Sequence, residues 1–107
     1  MEININNIFE VSEEKLPEEL IEIIERNENI RIERIISEGQ RSPENFWYNQ
    51  DRNEFVILLK GSAKLMFENG ETVNLKPGDY LIIPKHKKHR VEYTSEIQKT
   101  FWLAVHY

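Results

Sequence analysis

Apolar residues recur at every second position from Ile30 onward, and at every third or fourth position before it. The early pattern predicts a short helix. Leu16-Pro17-Glu18-Glu19 places a proline in the first turn and acids at the positive end of the helix dipole. Leu16, Leu20, Ile23 and Ile24 then share one face as far as Arg26, and Asn27-Glu28-Asn29 ends the run. So short a helix must dock to persist. Ahead of it, Asn4 to Glu10 reads as an arm or a short edge strand.

The later pattern is that of strands. Ile30, Ile32, Arg34 and Ile36 point one way, while Arg31, Glu33, Ile35 and Ser37 point the other. An arginine sharing an inward face with three isoleucines requires a partner. Ser37 to Pro43 follows as a loop. Glu54 to Lys60 is apolar on both faces, so both faces need cover, whereas Ala63 to Glu68 has one wetter side. Asn69-Gly70 is the strongest hairpin signal, with Thr72 to Leu75 as the return strand. Lys76-Pro77-Gly78-Asp79 makes a second tight turn. Tyr80 to Ile83, Arg90 to Tyr93 and Thr100 to Tyr107 complete seven or eight short strands, the pattern of an all-β sandwich or barrel. The expected division is an N-terminal arm and helix over residues 1–29, packed on a barrel over 30–107.

Composition narrows the chemistry. The length of 107 residues fits one domain with a single core. There is no cysteine, which excludes disulfides, thiolate nucleophiles and thiolate metal ligands. The four glycines are scattered turn residues rather than a phosphate loop, and the serines stand in loops without a histidine at an informative spacing. A net charge of −5 argues against nucleic acid as a bulk partner. No apolar run approaches a membrane span, and Met1-Glu2-Ile3-Asn4 does not open a signal peptide, so the expected location is the cytoplasm. The charge is uneven: residues 1–40 hold eleven acids against four bases, and residues 41–107 hold eight against ten. Lys85-His86-Lys87-Lys88-His89-Arg90 is either a solvated loop or a basic rim beside a pocket that admits a small anion such as a carboxylate.

Gly78, Pro84 and His89 are spaced as in the second motif of the small single-domain cupins, with His86 and Tyr93 where that motif has a glycine and an asparagine. Glu54 and Gly61 fit the end of the first motif, and Gly61-Ser62-Ala63 looks like its turn. From about Glu33 to Tyr107 the chain resembles this family, which implies a double-stranded β-helix, or jelly-roll barrel. The first motif would also bring a His-x-His pair, at positions held here by Trp47 and Asn49. The resemblance therefore carries over only Glu54 and His89 from the three-His, one-Glu metal site. Small cupins usually dimerise through sheet faces, and the two-sided strand Phe55 to Leu59 suits a homodimer.

In such a barrel alternate residues face inward. Trp47, Asn49, Glu54, Val56, Leu58, His89 and Val91 would line one cavity, or Tyr48 and Gln50 if the register slips by one. Asn49, Glu54 and His89 form an oxygen-rich set able to hold one divalent transition metal. Arg34 could clamp a ligand carboxylate, with Trp47 and Trp102 as an aromatic wall and Tyr48 or His106 as proton carriers. Plainer readings stand beside these. Glu54 and His89 can be a hydrogen-bonded pair in a metal-free barrel whose vacated volume Trp47 fills. Arg34 can pair with Glu54 or Asp51, and His106 can bond a backbone carbonyl. The function expected is binding of a small anionic ligand; the alternative is a metal-dependent oxygenase, isomerase or decarboxylase using Glu54 and His89. Acidic residues 1–29 binding a partner protein is a third possibility.

Overall fold

The structure, a computed structural model, describes residues 2–107. Eight strands follow one another: β1 (Leu20–Arg26), β2 (Arg31–Ser37), β3 (Glu54–Lys60), β4 (Ala63–Phe67), β5 (Thr72–Leu75), β6 (Tyr80–Ile83), β7 (His89–Thr94) and β8 (Thr100–His106). They form a five-stranded sheet in the order β1-β2-β8-β3-β6 and a three-stranded sheet in the order β5-β4-β7. All named pairings are antiparallel. Val56, Leu58, Leu65, Phe67, Ile83 and Trp102 fill the space between the sheets. No helix among the described residues is long and apolar enough to cross a membrane.

Turn chemistry sets the frame where the strands begin and end. At Asn69-Gly70, Gly70 takes φ +90° and donates to the Phe67 carbonyl, while Asn69 Oδ1 accepts the Glu71 N–H at 2.9 Å. At Lys76 to Asp79, Gly78 takes φ +94° and its N–H reaches the Leu58 carbonyl at 2.7 Å, anchoring the turn to β3. Pro77 ahead of a positive-φ glycine is the composition of a type II turn.

The expected helix over Leu16 to Arg26 is not formed; no helix occurs among the described residues, and Leu20–Arg26 is instead edge strand β1. The reason lies in Ile21, Ile23 and Ile24. Their β-branched side chains favour a pleated surface, and β2 offers a partner from Leu20↔Ile36 to Arg26↔Arg31. The Ile23-Ile24 doublet, which imitates a helical face, falls at a register shift between Ile23 and Glu25. Leu16 is buried as expected, but with Ile36 and Phe101 on the outer face of the large sheet.

That outer face carries a second correction. Arg34 was expected to look into the barrel with Ile32 and Ile36. Its guanidinium instead pairs with Glu22 of β1 and donates to the Ile8 carbonyl at 3.0 Å. The N-terminal segment crosses here, with Phe9 against the edge of Phe101 at 5.4 Å. The apolar face of β2 is covered by this segment, and the more polar face lines the barrel. Neither Glu54 nor Asp51 is the partner of Arg34.

Candidate functional site

The barrel encloses a cavity of about 220 Å³. Arg31, Glu33 and Ile35 enter it from β2, Glu54 and Val56 from β3, and Trp102 and His106 from β8. The register explains the selection. Glu54 faces His106 across the β3–β8 ladder, Arg31 faces His106 across β2–β8, and residues directly opposite share a side. Tyr48, Gln50 and His89 close another side, and Glu19, just ahead of β1, and Ile21 of β1 reach in.

A single backbone bridge decides which of the residues 47–50 look inward. Tyr48 and His89 form it, so Tyr48 and Gln50 line the cavity. Trp47 and Asn49 turn the other way. Trp47 lies 5.8 Å beneath the Arg90 guanidinium, and Asn49 Oδ1 is 3.2 Å from His86 Nδ1 outside the barrel. Of the eight residues singled out as ligands or walls, the fold therefore gathers Tyr48, Glu54, His89, Trp102 and His106. It leaves Arg34, Trp47 and Asn49 outside.

Glu54 and His89 are both buried, with Oε1 and Nε2 3.6 Å apart, beyond hydrogen-bond length. The backbone aims the imidazole: Nδ1 stands 3.0 Å from the Lys87 carbonyl, which can only accept. Nδ1 is thus the donor, and in the neutral ring the lone pair on Nε2 faces Glu54. Glu54 Oε1 is buried and has no hydrogen-bond partner. With the ring neutral, Oε1 and Nε2 are both acceptors, and no protein group among the described residues donates to Oε1.

Several other polar groups of the lining are paired. Trp102 Nε1 donates to Ser37 Oγ at 3.2 Å, and Ser37 donates onward to Glu19 Oε2 at 3.0 Å. Burial pushes the Glu19 carboxyl above its ordinary range, and the Ser37 hydrogen bond partly opposes this. Glu33 Oε1 holds His106 Nε2 at 2.9 Å while Oε2 lies 3.0 Å from Arg31 Nε. His106 therefore pairs with a carboxylate rather than a backbone carbonyl. Burial, then the charges of Glu19, Glu54 and Glu33, raises the Tyr48 phenol and keeps it a proton donor.

Glu19, Arg31 and Glu33 were not singled out from sequence as site residues. Arg31 and Glu33 could have been found from the alternation on β2, had its polar side been assigned to the interior. Glu19 carried no such signal, because its position rests on β1 being a strand. Toward a metal the cavity offers two buried donors, Glu54 and His89. No group of three His, Cys, Asp or Glu side chains converges to hold one among the described residues, whereas a catalytic zinc takes three protein ligands. Asn49, the expected third donor, lines a different space.

The basic run Lys85 to Arg90 is largely engaged by its neighbours. Lys87 lies 5.2 Å over Phe67, Lys88 approaches Glu68 at 3.8 Å, and Arg90 pairs with Glu92 at 2.7 Å.

The family model for the cupin domain matches residues 33–106. A Ralstonia eutropha protein described as a putative mannose-6-phosphate isomerase is 37% identical, with a TM-score of 0.92 over 97% of this chain and 97% of that one. A cupin superfamily protein of Desulfitobacterium hafniense shares 18% identity and a TM-score of 0.73 over 88% and 81% of the two chains. An RmlC-like cupin from Desulfovibrio desulfuricans shares 15% identity and a TM-score of 0.73 over 98% and 97%. The last two likenesses are of fold alone. No curated protein matches the chain.

Proposed function

The chain belongs to the cupin family, and we propose that its barrel receives a small hydroxylated compound held through its hydroxyl groups by Glu54 and His89. One observation carries the reading: a buried carboxylate oxygen without a donor, 3.6 Å from an imidazole nitrogen whose ring is already oriented. Leaving such a buried oxygen unpaired costs free energy, which an incoming donor recovers. Two neighbouring hydroxyls of a polyol can each donate to one of these acceptors. Ile35, Val56 and Trp102 offer the apolar walls usual in ligand pockets. The name of the Ralstonia protein is that of a sugar-phosphate isomerase, which supports the hydroxylated class. Glu19, Glu33 and Glu54 outnumber Arg31 around this floor, so the part of the ligand that enters it is not an anion.

The test is thermal stabilisation by neutral polyols and aldoses, read on the wild type, Glu54→Met and His89→Phe. Both variants keep bulk and remove an acceptor. A ligand at 100 times its Kd contributes ~2.7 kcal/mol, or on the order of 10–20 °C for a domain near this size. Stabilisation lost in both variants supports the reading, and a wild type indifferent to every compound overturns it.

A second reading places a divalent transition metal between Glu54 and His89 in an oxygenase, isomerase or decarboxylase. The same unpaired oxygen favours it. Elemental analysis of protein purified without chelator checks it: one equivalent of metal, absent from Glu54→Met, would establish this reading over the first.

A further inference from the structure

The charge of the barrel reverses at Arg31. A second space of about 440 Å³ shares Arg31, Gln50 and His106 with the inner cavity, so the two meet there. The inner cavity has Glu19, Glu33 and Glu54 around it. The outer one has Arg31 and Arg52 against the single acid Asp51, with the His86 imidazole beside them.

Among the described residues, the Arg31 side chain makes no aligned hydrogen bond. Its Nε is buried without a partner, and the 3.0 Å approach of Glu33 is an ion pair that leaves both Nη groups uncommitted. Arg52 uses one Nη on the Glu28 carbonyl at 2.9 Å, which fixes the guanidinium beside the same space. His86 is set by its own backbone, whose N–H donates to the Gln50 carbonyl at 2.7 Å with φ at +66°. Positive φ is uncommon outside glycine. Here an imidazole occupies a position where glycine would relieve that restriction.

We propose that this outer space is an oxyanion subsite, in which the Arg31 fork, with Arg52 and His86, binds a phosphate or carboxylate borne by the ligand of the inner cavity. The inference rests on the hydroxyl-binding reading of Glu54 and His89, and it orients the ligand with hydroxyls inward and anion outward. The reverse orientation would set an anion among three carboxylates. A guanidinium suits the role because its planar fork matches the geometry of both oxyanions.

The experiment is titration calorimetry at low ionic strength with sorbitol, sorbitol 6-phosphate, gluconate and inorganic phosphate. It compares the wild type with Arg31→Met and Arg52→Met. Wild type should bind sorbitol 6-phosphate or gluconate at least about tenfold more tightly than sorbitol, one charge-assisted contact being enough for that ratio. Which of the two is preferred identifies the oxyanion. Arg31→Met should remove the preference for the anionic compound over sorbitol, measured as the ratio of the two affinities, and abolish the salt dependence of that ratio. Arg52→Met, which disturbs no ion pair with Glu33, should lose part of the same preference. Equal wild-type affinity for sorbitol and both anions overturns the subsite, as does an Arg31→Met variant that weakens all of them alike. Binding of inorganic phosphate that needs Arg31, with no binding of any six-carbon compound, would support the subsite and overturn the inner reading alone. No binding of any of the four overturns both.

Discussion

Tyr48 and His89 are joined twice. Their backbones exchange hydrogen bonds of 2.7 and 3.2 Å, and their rings stack with centroids 5.4 Å apart and 24° between planes. The backbone bridge holds the segment before β3 against β7. The stack fixes the plane of the imidazole, complementing the contact of Nδ1 with Lys87. The phenol oxygen has no hydrogen-bond partner among the described residues, so ring and hydroxyl can be separated by mutation. Tyr48→Phe should unfold within about 1 kcal/mol of wild type, the scale of one neutral hydrogen bond. Tyr48→Ala should lose about 2–3 kcal/mol, less than the 3–5 of a fully buried aromatic. Urea unfolding measures both; equal losses would show that the stack does not hold the site.

Gly61 lies against Thr100, and this close approach requires glycine. A Cβ there would stand 2.3 Å from Thr100 Oγ1 and 2.7 Å from Thr100 Cα, at φ +93°. Gly61→Ala must displace backbone at the start of β8, and should cost about 2–4 kcal/mol from strain and overpacking together. Gly70→Ala meets open space at φ +90°, so only the backbone penalty of about 1–2 kcal/mol should remain. Thermal or urea unfolding of the two variants compares them, and a Gly70→Ala loss as large as that of Gly61→Ala would contradict the steric argument.

Local chemistry and long-range pairing divide what the sequence reveals. Asn69-Gly70, Pro77-Gly78 and the two-sided run Phe55 to Leu59 carry their structure in neighbouring residues, and those elements form as expected. Glu54 and His89 also come together as their motif spacing implies. Ile23-Ile24 fits a helical face and a bulged strand equally well; its partner β2 decides, and that pairing is not written in residues 16–26. The pattern of β2 predicts Arg34 inward because apolar faces ordinarily look into a core. In a barrel holding a polar cavity, the apolar face of β2 can be the outer one, provided another segment covers it. The choice between Trp47 and Tyr48 rests on one bridge to a residue 41 positions away, beyond the reach of any local pattern.

Glu19 gives the cavity a pH signature. Its pKa is raised above 4.5 chiefly by burial, so the folded state holds the proton more tightly than the unfolded state. Linkage then makes stability fall as pH rises from 4.5 through the folded pKa. Glu19→Gln keeps an oxygen to accept from Ser37 but cannot ionise. It should be more stable than wild type at pH 7, with the advantage shrinking toward pH 4. Urea midpoints at pH 4, 5.5 and 7 read this directly, and a gap independent of pH would remove Glu19 from the account.

The outer face of the large sheet argues for a second copy of the chain. Phe55 and Ile57 of β3 continue into Tyr80 and Ile82 of β6, which face outward by register and are 66% and 54% exposed. Phe55 and Tyr80 already pack at 5.5 Å between ring centroids. The N-terminal segment covers the other end of this face, around Phe101 and Ile36, and packs against Leu59. Contiguous exposed apolar patches on a sheet mark interaction surfaces, and burying them between two identical sheets would satisfy a twofold contact. Light scattering after size exclusion should therefore give twice the chain mass for wild type. Ile82→Glu, which puts a charge into the patch without touching the cavity, should give a folded monomer that still binds any ligand of the wild type. A monomeric wild type would end the dimer proposal, and a dimeric Ile82→Glu would move the interface elsewhere.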